Sequence, residues 1–394
     1  MKISDFVEVK NPGISSRYAK NKAAIGHFIQ DYIVGKININ IDFKEMMQHK
    51  DEIFTYEYVW HHWKFFFSRF IPEVVIHSKK QDERIVRGHY DNKNDLFNWF
   101  LGPKMIYTSC YFLTGDETLE EAQENKMNII AQKIQLKPGE QLLDIGCGWG
   151  TFVAHMAKYY SADATGVTIA QAGADWGTSQ IKDFGVEDKA RIWRMDYRDI
   201  PKNMKYDKIT CLEMAEHVGI KNFKKFMKQI YDLLKDDGLF YLQIAGLRER
   251  DSLFFGPNQE DLVWGLFMSE NIFSGADASM PLNWDLKNIE KAGFEVQSVE
   301  NIGIHYSKTI AFWYRNWMSN RKKVVEKYGE ATFRIYQIFL GWSTIIARQG
   351  SSTAYQIVCR KNLNTFDRTR FIGAAGMGEK HLFRKAKELV REGV

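Results

Sequence analysis

From about residue 136 the hydrophobic positions fall into two alternating registers. Short apolar runs that stop at glycine or a polar residue predict strands: "QLLDIG" (141–146), "ADATGVTI" (162–169), "ARIWRMD" (190–196), "YDKITCLEM" (206–214), "GLFYLQIAG" (238–246) and "FEVQSVENIG" (294–303). Between them, apolar residues recur at helical spacing in "TFVAHMAKYY" (151–160), "AQAGADWGTSQIKDFG" (170–185), "FKKFMKQIYDLLK" (223–235) and "LKNIEKAGF" (286–294). Strict strand–helix alternation predicts an α/β fold, a doubly wound and mostly parallel sheet covered on both faces. A last run, "STAYQIVCRK" (352–361), closes the order and is expected as an edge strand.

Two stretches break the alternation. Residues 1–75, with amphipathic "KAAIGHFIQDYIVGK" (22–36), predict an N-terminal helical lobe. Residues 305–348 form two long aromatic helical patterns between the sixth and last strands. An insertion there sits over the carboxyl edge of the sheet, where open α/β sheets bind ligands, and is expected to be a lid. Its stripes Phe312, Trp313, Trp317 and Phe333, Tyr336, Phe339 are core by spacing, and under a lid such faces also line an apolar tunnel. The densest apolar run, "YEYVWHHWKFFFSRFIPEVVIH" (56–77), is broken by His61, His62, Lys64, Arg69 and Pro72. It suits peripheral contact with a membrane rather than passage across one.

Composition narrows the classes. At 394 residues and 45% hydrophobic the chain has ample core, and four scattered cysteines make no disulfide framework. With a polar start lacking a signal-like stretch, a reducing, cytoplasmic setting is expected. The net charge of +5 decides between neither an anionic lipid surface nor nucleic acid. The tail 364–394 is basic and reads as a solvated charged helix. No His, Cys, Asp and Glu set has metal-ligand spacing.

The chemistry starts in "QLLDIGCGWG" (141–150). Asp144 falls at the end of a strand, and Gly146, Gly148 and Gly150 let the turn into the next helix close tightly around a flat ligand. An acid two residues before the first glycine repels a pyrophosphate and attracts a cation. The turn therefore points to S-adenosylmethionine, with its ammonium and sulfonium, rather than to a nicotinamide dinucleotide. Thr168 and Asp196 end the second and third strands, Asp196 placed for an adenine amino group. Cys147 reads as a small packing residue.

"LLDIGCGWG", "RGHYDNKNDLFNWFLGPKMIYTSCYF" (87–112), "MDYRDI" (195–200) and "EMAEHVG" (213–219) together resemble the cyclopropane-fatty-acid synthase family of S-adenosylmethionine-dependent methyltransferases. Within it, "ITCLEMAEHVGIKNF", "FYLQIAGLR", "DLVWGLFMSENIFSGADAS" and "WYRNW" resemble the fungal sphingolipid-methylating branch. The resemblance implies a seven-stranded Rossmann-like methyltransferase domain over 136–363, preceded by a cap over 76–135 that closes on the cofactor. Tyr107 and Thr108 on that cap, with Trp149 and Tyr197, would complete the cofactor set. It also implies methyl transfer to a carbon–carbon double bond of a lipid chain, with a bound bicarbonate as base in a cage of Cys, Glu, His, Tyr and main-chain groups. Glu216 and Tyr314 match that cage. Its Cys falls on Ser109, with Cys110 one place later, and its His falls on Gln243, which cannot relay a proton as imidazole does. The altered cage leads us to expect a methyl-branched alkene rather than a ring. On the residues alone, Glu216 is also readable as a helix N-terminal charge, Tyr314 as core and His217 as a hydrogen-bonded structural residue.

Alternatives are an N-methyltransferase of a small amine and a ring-forming fatty-acid synthase. Nucleic acid is not expected as a partner: "EMAEHVG" stands where amine-methylating nucleic-acid enzymes favour a proline tetrapeptide, and no aromatic–basic ribonucleoprotein motif occurs.

Overall fold

The computed structural model of the chain describes residues 1–70, 93–249, 259–273 and 279–364. Residues 71–77 of the aromatic run, 87–92 and 274–278 of the quoted motifs, and the basic tail from 365 onward lie outside the described residues.

The helices, in chain order, include α1 (Ile25–Ile33), α2 (Trp60–Phe65), α3 (Asn94–Leu101), α4 (Leu119–Lys133), α5 (Thr151–Tyr160) and α6 (Gln171–Asp183). They continue with α7 (Ile220–Leu233), α8 (Gln259–Asn271), α9 (Leu282–Lys291), α10 (Gly303–Ser319) and α11 (Arg321–Arg348). The main sheet has seven strands: β1 (Gln141–Ile145), β2 (Asp163–Thr168), β3 (Ala190–Arg194), β4 (Tyr206–Leu212), β5 (Leu234–Leu247), β6 (Phe294–Asn301) and β7 (Ser352–Lys361). Their spatial order is β6-β7-β5-β4-β1-β2-β3. Strands β1 to β5 pair in parallel, and β7 runs antiparallel to both its neighbours.

The sequence placed β7 at an edge, and the structure corrects this: β7 lies between β5 and β6, and β6 is the edge. The reason is in its side chains. Ile357 and Cys359 enter the core on one face of the sheet and Val358 the core on the other, so the strand is covered on both faces. The same period of two divides β1, whose Leu143 and Ile145 pack toward Phe226, Met227 and Ile230 of α7, while Leu142 packs toward Ile130 of α4 and Val153 of α5.

The N-terminal segment holds more than helices. Val7–Val9 pairs with Ile37–Ile39 and Ala23–Ala24 with Phe54–Thr55, so the expected amphipathic helix begins only at Ile25. This segment shares one core with α3, α10 and α11: Phe28, Phe43 and Phe54 belong with Phe97, Phe100, Trp313, Trp317 and Trp342. Polar ties fasten the same contact. Arg334 of α11 donates to the carbonyls of Tyr32 (2.6 Å) and Ile37 (3.2 Å), and Tyr32 donates to Gln337 (2.6 Å). α11 is bent at Gly329, whose φ of 83° and ψ of 161° interrupt the helix. Among the described residues no helix is long and apolar enough to cross a membrane.

Candidate active site

The turn after β1 is built from three left-handed residues in alternation, Gly146 (φ 79°), Gly148 (φ 54°) and Gly150 (φ 71°). A Cβ on Gly146 would come within 2.4 Å of Met214, and one on Gly150 within 2.9 Å of the Gly177 backbone. Asp144 is buried just before the turn and accepts from the Thr210 hydroxyl at 2.7 Å. Burial pushes its carboxyl up to about 7 against the opposing pull of Thr210 and Lys126.

A cavity opens over this turn. Asp144, Gly146, Gly148 and Trp149 line it from the turn; Thr168, Asp196 and Tyr197 from the ends of β2 and β3; and Tyr107 and Thr108 from the cap. Nine of the ten expected cofactor residues thus face one space. Gly150 does not, and packs α5 onto α6 behind the turn. The cavity carries the acids Asp144, Asp196 and Glu213 against the cations Lys126 and Arg198. Arg198 is spent on Asp196, at 2.6 and 2.8 Å, and the buried Lys126 donates to Thr108. Gly148 has open space where a Cβ would stand. Acids facing a glycine-floored slot fit a cationic, flat-ringed ligand, so these residues fit S-adenosylmethionine.

The fit carries a pH dependence. A cation beside Asp144 favours the carboxylate, so the bound pKa lies below the free value near 7 and binding expels a proton. Affinity for S-adenosylhomocysteine, whose ammonium would make the same contact, is expected to be level above pH 8. It should weaken by about tenfold at pH 6, as follows from a one-proton linkage. Calorimetry across that range showing flat affinity would contradict the role of Asp144.

A second cavity of about 500 Å³ lies beside the first, between the carboxyl ends of β4 and β5, α8, and the facing sides of α10 and α11. Its walls are mostly apolar, including Trp264, Phe273, Ile310 and Phe339, and it reaches Tyr58, Trp63, Phe66 and Phe70 of the aromatic run. Residues of α10 and α11 thus stand over the carboxyl edge of the sheet. Tyr107, Glu213 and His217 line both cavities and mark where they meet.

The expected anion cage is not assembled. Tyr314 lines neither cavity: its hydroxyl donates to Asp42 at 2.7 Å and accepts from the Lys44 amide at 3.4 Å, because its side of α10 packs on the N-terminal segment. Cys110 is wholly buried, its amide donating to Thr309 at 3.0 Å, and burial pushes its thiol up to about 11. Cys147 is buried against Gly166, its thiol likewise raised by burial, as suits a packing residue. Ser109 and Gln243 do meet, but around a group the sequence analysis passed over. The Ser109 amide (2.8 Å) and Gln243 Nε2 (2.6 Å) both donate to Oε1 of Glu213. Those donors are already taken by a carboxylate of the chain, so the residues present do not fit a bicarbonate. Glu216 lines the apolar cavity. Its Oε1 accepts from the Ala245 amide at 2.5 Å, its Oε2 has no partner among the described residues, and burial with the charge of Glu213 pushes it up to about 8.

Known proteins resemble the chain in sequence and in fold. The family described as mycolic acid cyclopropane synthetase matches residues 77–357. The chain is 46% identical to a sphingolipid C9-methyltransferase of Komagataella phaffii over 94% of this chain and 77% of that protein. It is 44% identical to the sphingolipid C9-methyltransferase of Candida albicans over 94% of this chain and 74% of that one. Among solved structures, the mycolic acid cyclopropane synthase CmaA1 complexed with SAH and CTAB superposes with a TM-score of 0.66. It is 25% identical, covering 71% of this chain and 98% of that one. The glycine turn, the donor-shaped cavity and these relatives converge: the chain belongs to the mycolic acid cyclopropane synthetase family and is an S-adenosylmethionine-dependent methyltransferase.

Proposed function

We propose that the protein methylates a carbon of a carbon–carbon double bond in the long chain of a sphingolipid, leaving a methyl-branched alkene. The observation that carries this reading is the meeting of the two cavities: a polar slot suited to the methyl donor opens at Tyr107, Glu213 and His217 onto an apolar space of about 500 Å³. S-adenosylmethionine, when bound, supplies an electrophilic methyl group. The chain's residues do the rest. Asp144 holds the donor's cationic end, Trp149 and Tyr197 offer aromatic surface to its ring, and the apolar walls align the alkene and exclude water. The names of the fungal relatives support a sphingolipid, and CTAB in the CmaA1 complex supports a long-chain occupant. A small amine would leave most of the apolar space empty.

The same reading gives the aromatic run a use. Trp60 is 80% exposed and Phe67 64% exposed, next to the half-buried Trp63, Phe66 and Phe70 that line the cavity. We take this face as the peripheral membrane contact through which substrate arrives, in a reducing, cytoplasmic setting that suits the four free cysteines.

Incubation with the methyl donor and a glucosylceramide carrying an unsaturated long-chain base is expected to give a product heavier by one CH2. Its proton spectrum should show an olefinic methyl. A cyclopropane signal, or no product from any unsaturated lipid, would remove this reading.

A further inference from the structure

The geometry points to Glu213 as the catalytic base of this reaction, an internal carboxylate that takes the proton released when the double bond is methylated. The assignment rests on the C-methylation reading above, and no added anion enters it.

Position is the first argument. Glu213 follows β4 directly and lines both cavities, where Glu216 lines only the apolar one. A base for this step must reach the carbon that has just received the methyl, and that carbon lies at the meeting of the two spaces. The backbone is the second. Glu213 has φ 50°, in the left-handed region, and its amide donates to the Gln243 carbonyl at 2.7 Å. Glycine is the residue such a conformation favours. An acid there costs on the order of 1 kcal/mol or more, and strain of this kind collects at working sites.

Orientation is the third. Both hydrogen bonds to the carboxylate end on Oε1, so Oε2 is left for the cavities. The amide of Gln243 is itself fixed, because its Oε1 accepts from Gln356 (3.2 Å) and Tyr241 (3.4 Å). Its NH2 therefore has to face Glu213. Glutamine at this position thus serves as a holder of the base rather than a proton carrier. Charge is the fourth. Burial raises the Glu213 carboxyl above the usual carboxylate range, and the two donors and the nearby Lys126 pull against that rise. Glu216 is raised by burial and by the Glu213 charge, which the backbone amides of Ala245 and of Glu216 itself oppose without the help of a side-chain donor among the described residues. Of the two, Glu213 has the surroundings that better stabilise a carboxylate.

The step balances. The π electrons of the substrate's double bond form the bond to the incoming methyl carbon as the S–C bond breaks, its pair remaining on sulfur. A cation is left on the neighbouring carbon. Glu213 takes the proton of the methylated carbon, and the C–H pair restores the double bond. The carboxylic acid then returns its proton to water.

Two variants test the assignment against the unsaturated glucosylceramide. Glu213→Gln keeps an acceptor for Ser109 and Gln243 but loses the base. Its kcat should fall by at least about a hundredfold, within the span of general-base effects. Its affinity for S-adenosylhomocysteine by calorimetry should stay close to wild type. Glu213→Gly suits the φ of 50° and vacates room, so formate or acetate should restore its rate saturably, which a structural prop would not allow. Wild-type turnover should be indifferent to removal of bicarbonate. Wild-type kcat in Glu213→Gln, no rescue of Glu213→Gly, loss of S-adenosylhomocysteine binding in both variants, or bicarbonate dependence of the wild type would each overturn the assignment. If the wild type itself methylates no unsaturated lipid, the substrate reading falls first and takes this assignment with it.

Discussion

Gly173→Ala is expected to weaken S-adenosylhomocysteine binding by about ten- to a hundredfold, although the change adds a single methyl group. Gly173 lies in the first turn of α6 with ordinary helical φ, where alanine by propensity alone favours the helix by about 1 kcal/mol. The added carbon would, however, stand 2.4 Å from the carbonyl oxygen of Gly148. That atom belongs to the backbone of the cofactor turn, so no side chain can swing aside to make room. Either α6 retreats or the turn does, and the turn is the floor of the donor slot. Overpacking of this kind costs about 1–3 kcal/mol, which is the range of affinity loss given above. Unchanged affinity in calorimetry would show that α6, and not the turn, gives way.

Trp317→Ala is expected to lower unfolding free energy by about 3–5 kcal/mol, the cost of emptying a large aromatic site. Trp317 is fully buried, stacks on Tyr336 (centroids 4.8 Å apart) and Phe333 (5.9 Å), and donates its indole N–H to the Phe333 carbonyl at 3.1 Å. It joins α10 to α11, so the loss falls on the roof of the apolar cavity. Trp317→Phe separates the contributions: it keeps the stacking and forfeits one buried hydrogen bond, for about 1 kcal/mol plus a smaller cavity. Urea titration of both variants checks the order. Equal midpoints for Trp317→Ala and wild type would show that the α10–α11 contact contributes little.

The donor slot was legible in the sequence because its constraints are local. Three glycines in alternation and an acid two places before them dictate a turn whatever surrounds it, and nine of ten expected residues line the slot. The position of β7 was not legible, since strand order depends on which faces are covered and not on the strand's own pattern. Tyr314 carries the right residue type in the right motif. Its side of α10 packs on the N-terminal segment, where its hydroxyl meets Asp42, 272 residues away. Glu213 was overlooked for the same reason. Its neighbours in the chain give it no distinction beyond an acid after a strand, and its donors come from 30 and 104 residues away. A signal was nevertheless present: where Ser109 and Gln243 replace a thiol and an imidazole, a compensating acid is worth seeking on the adjoining strand.

The shared core of the N-terminal segment with α10 and α11 has a consequence for how the enzyme selects its substrate. A roof cemented through Phe28, Phe43, Trp313 and Trp342, and pinned by Arg334, does not swing open as a hinged cover does. On the function proposed here, a hydrocarbon would instead be threaded end-first from the aromatic face near Trp63 and Phe66 until an unsaturated bond reaches Glu213. The protein would then act as a ruler, choosing the methylated position by the span of chain between entrance and proposed base while the head group waits outside.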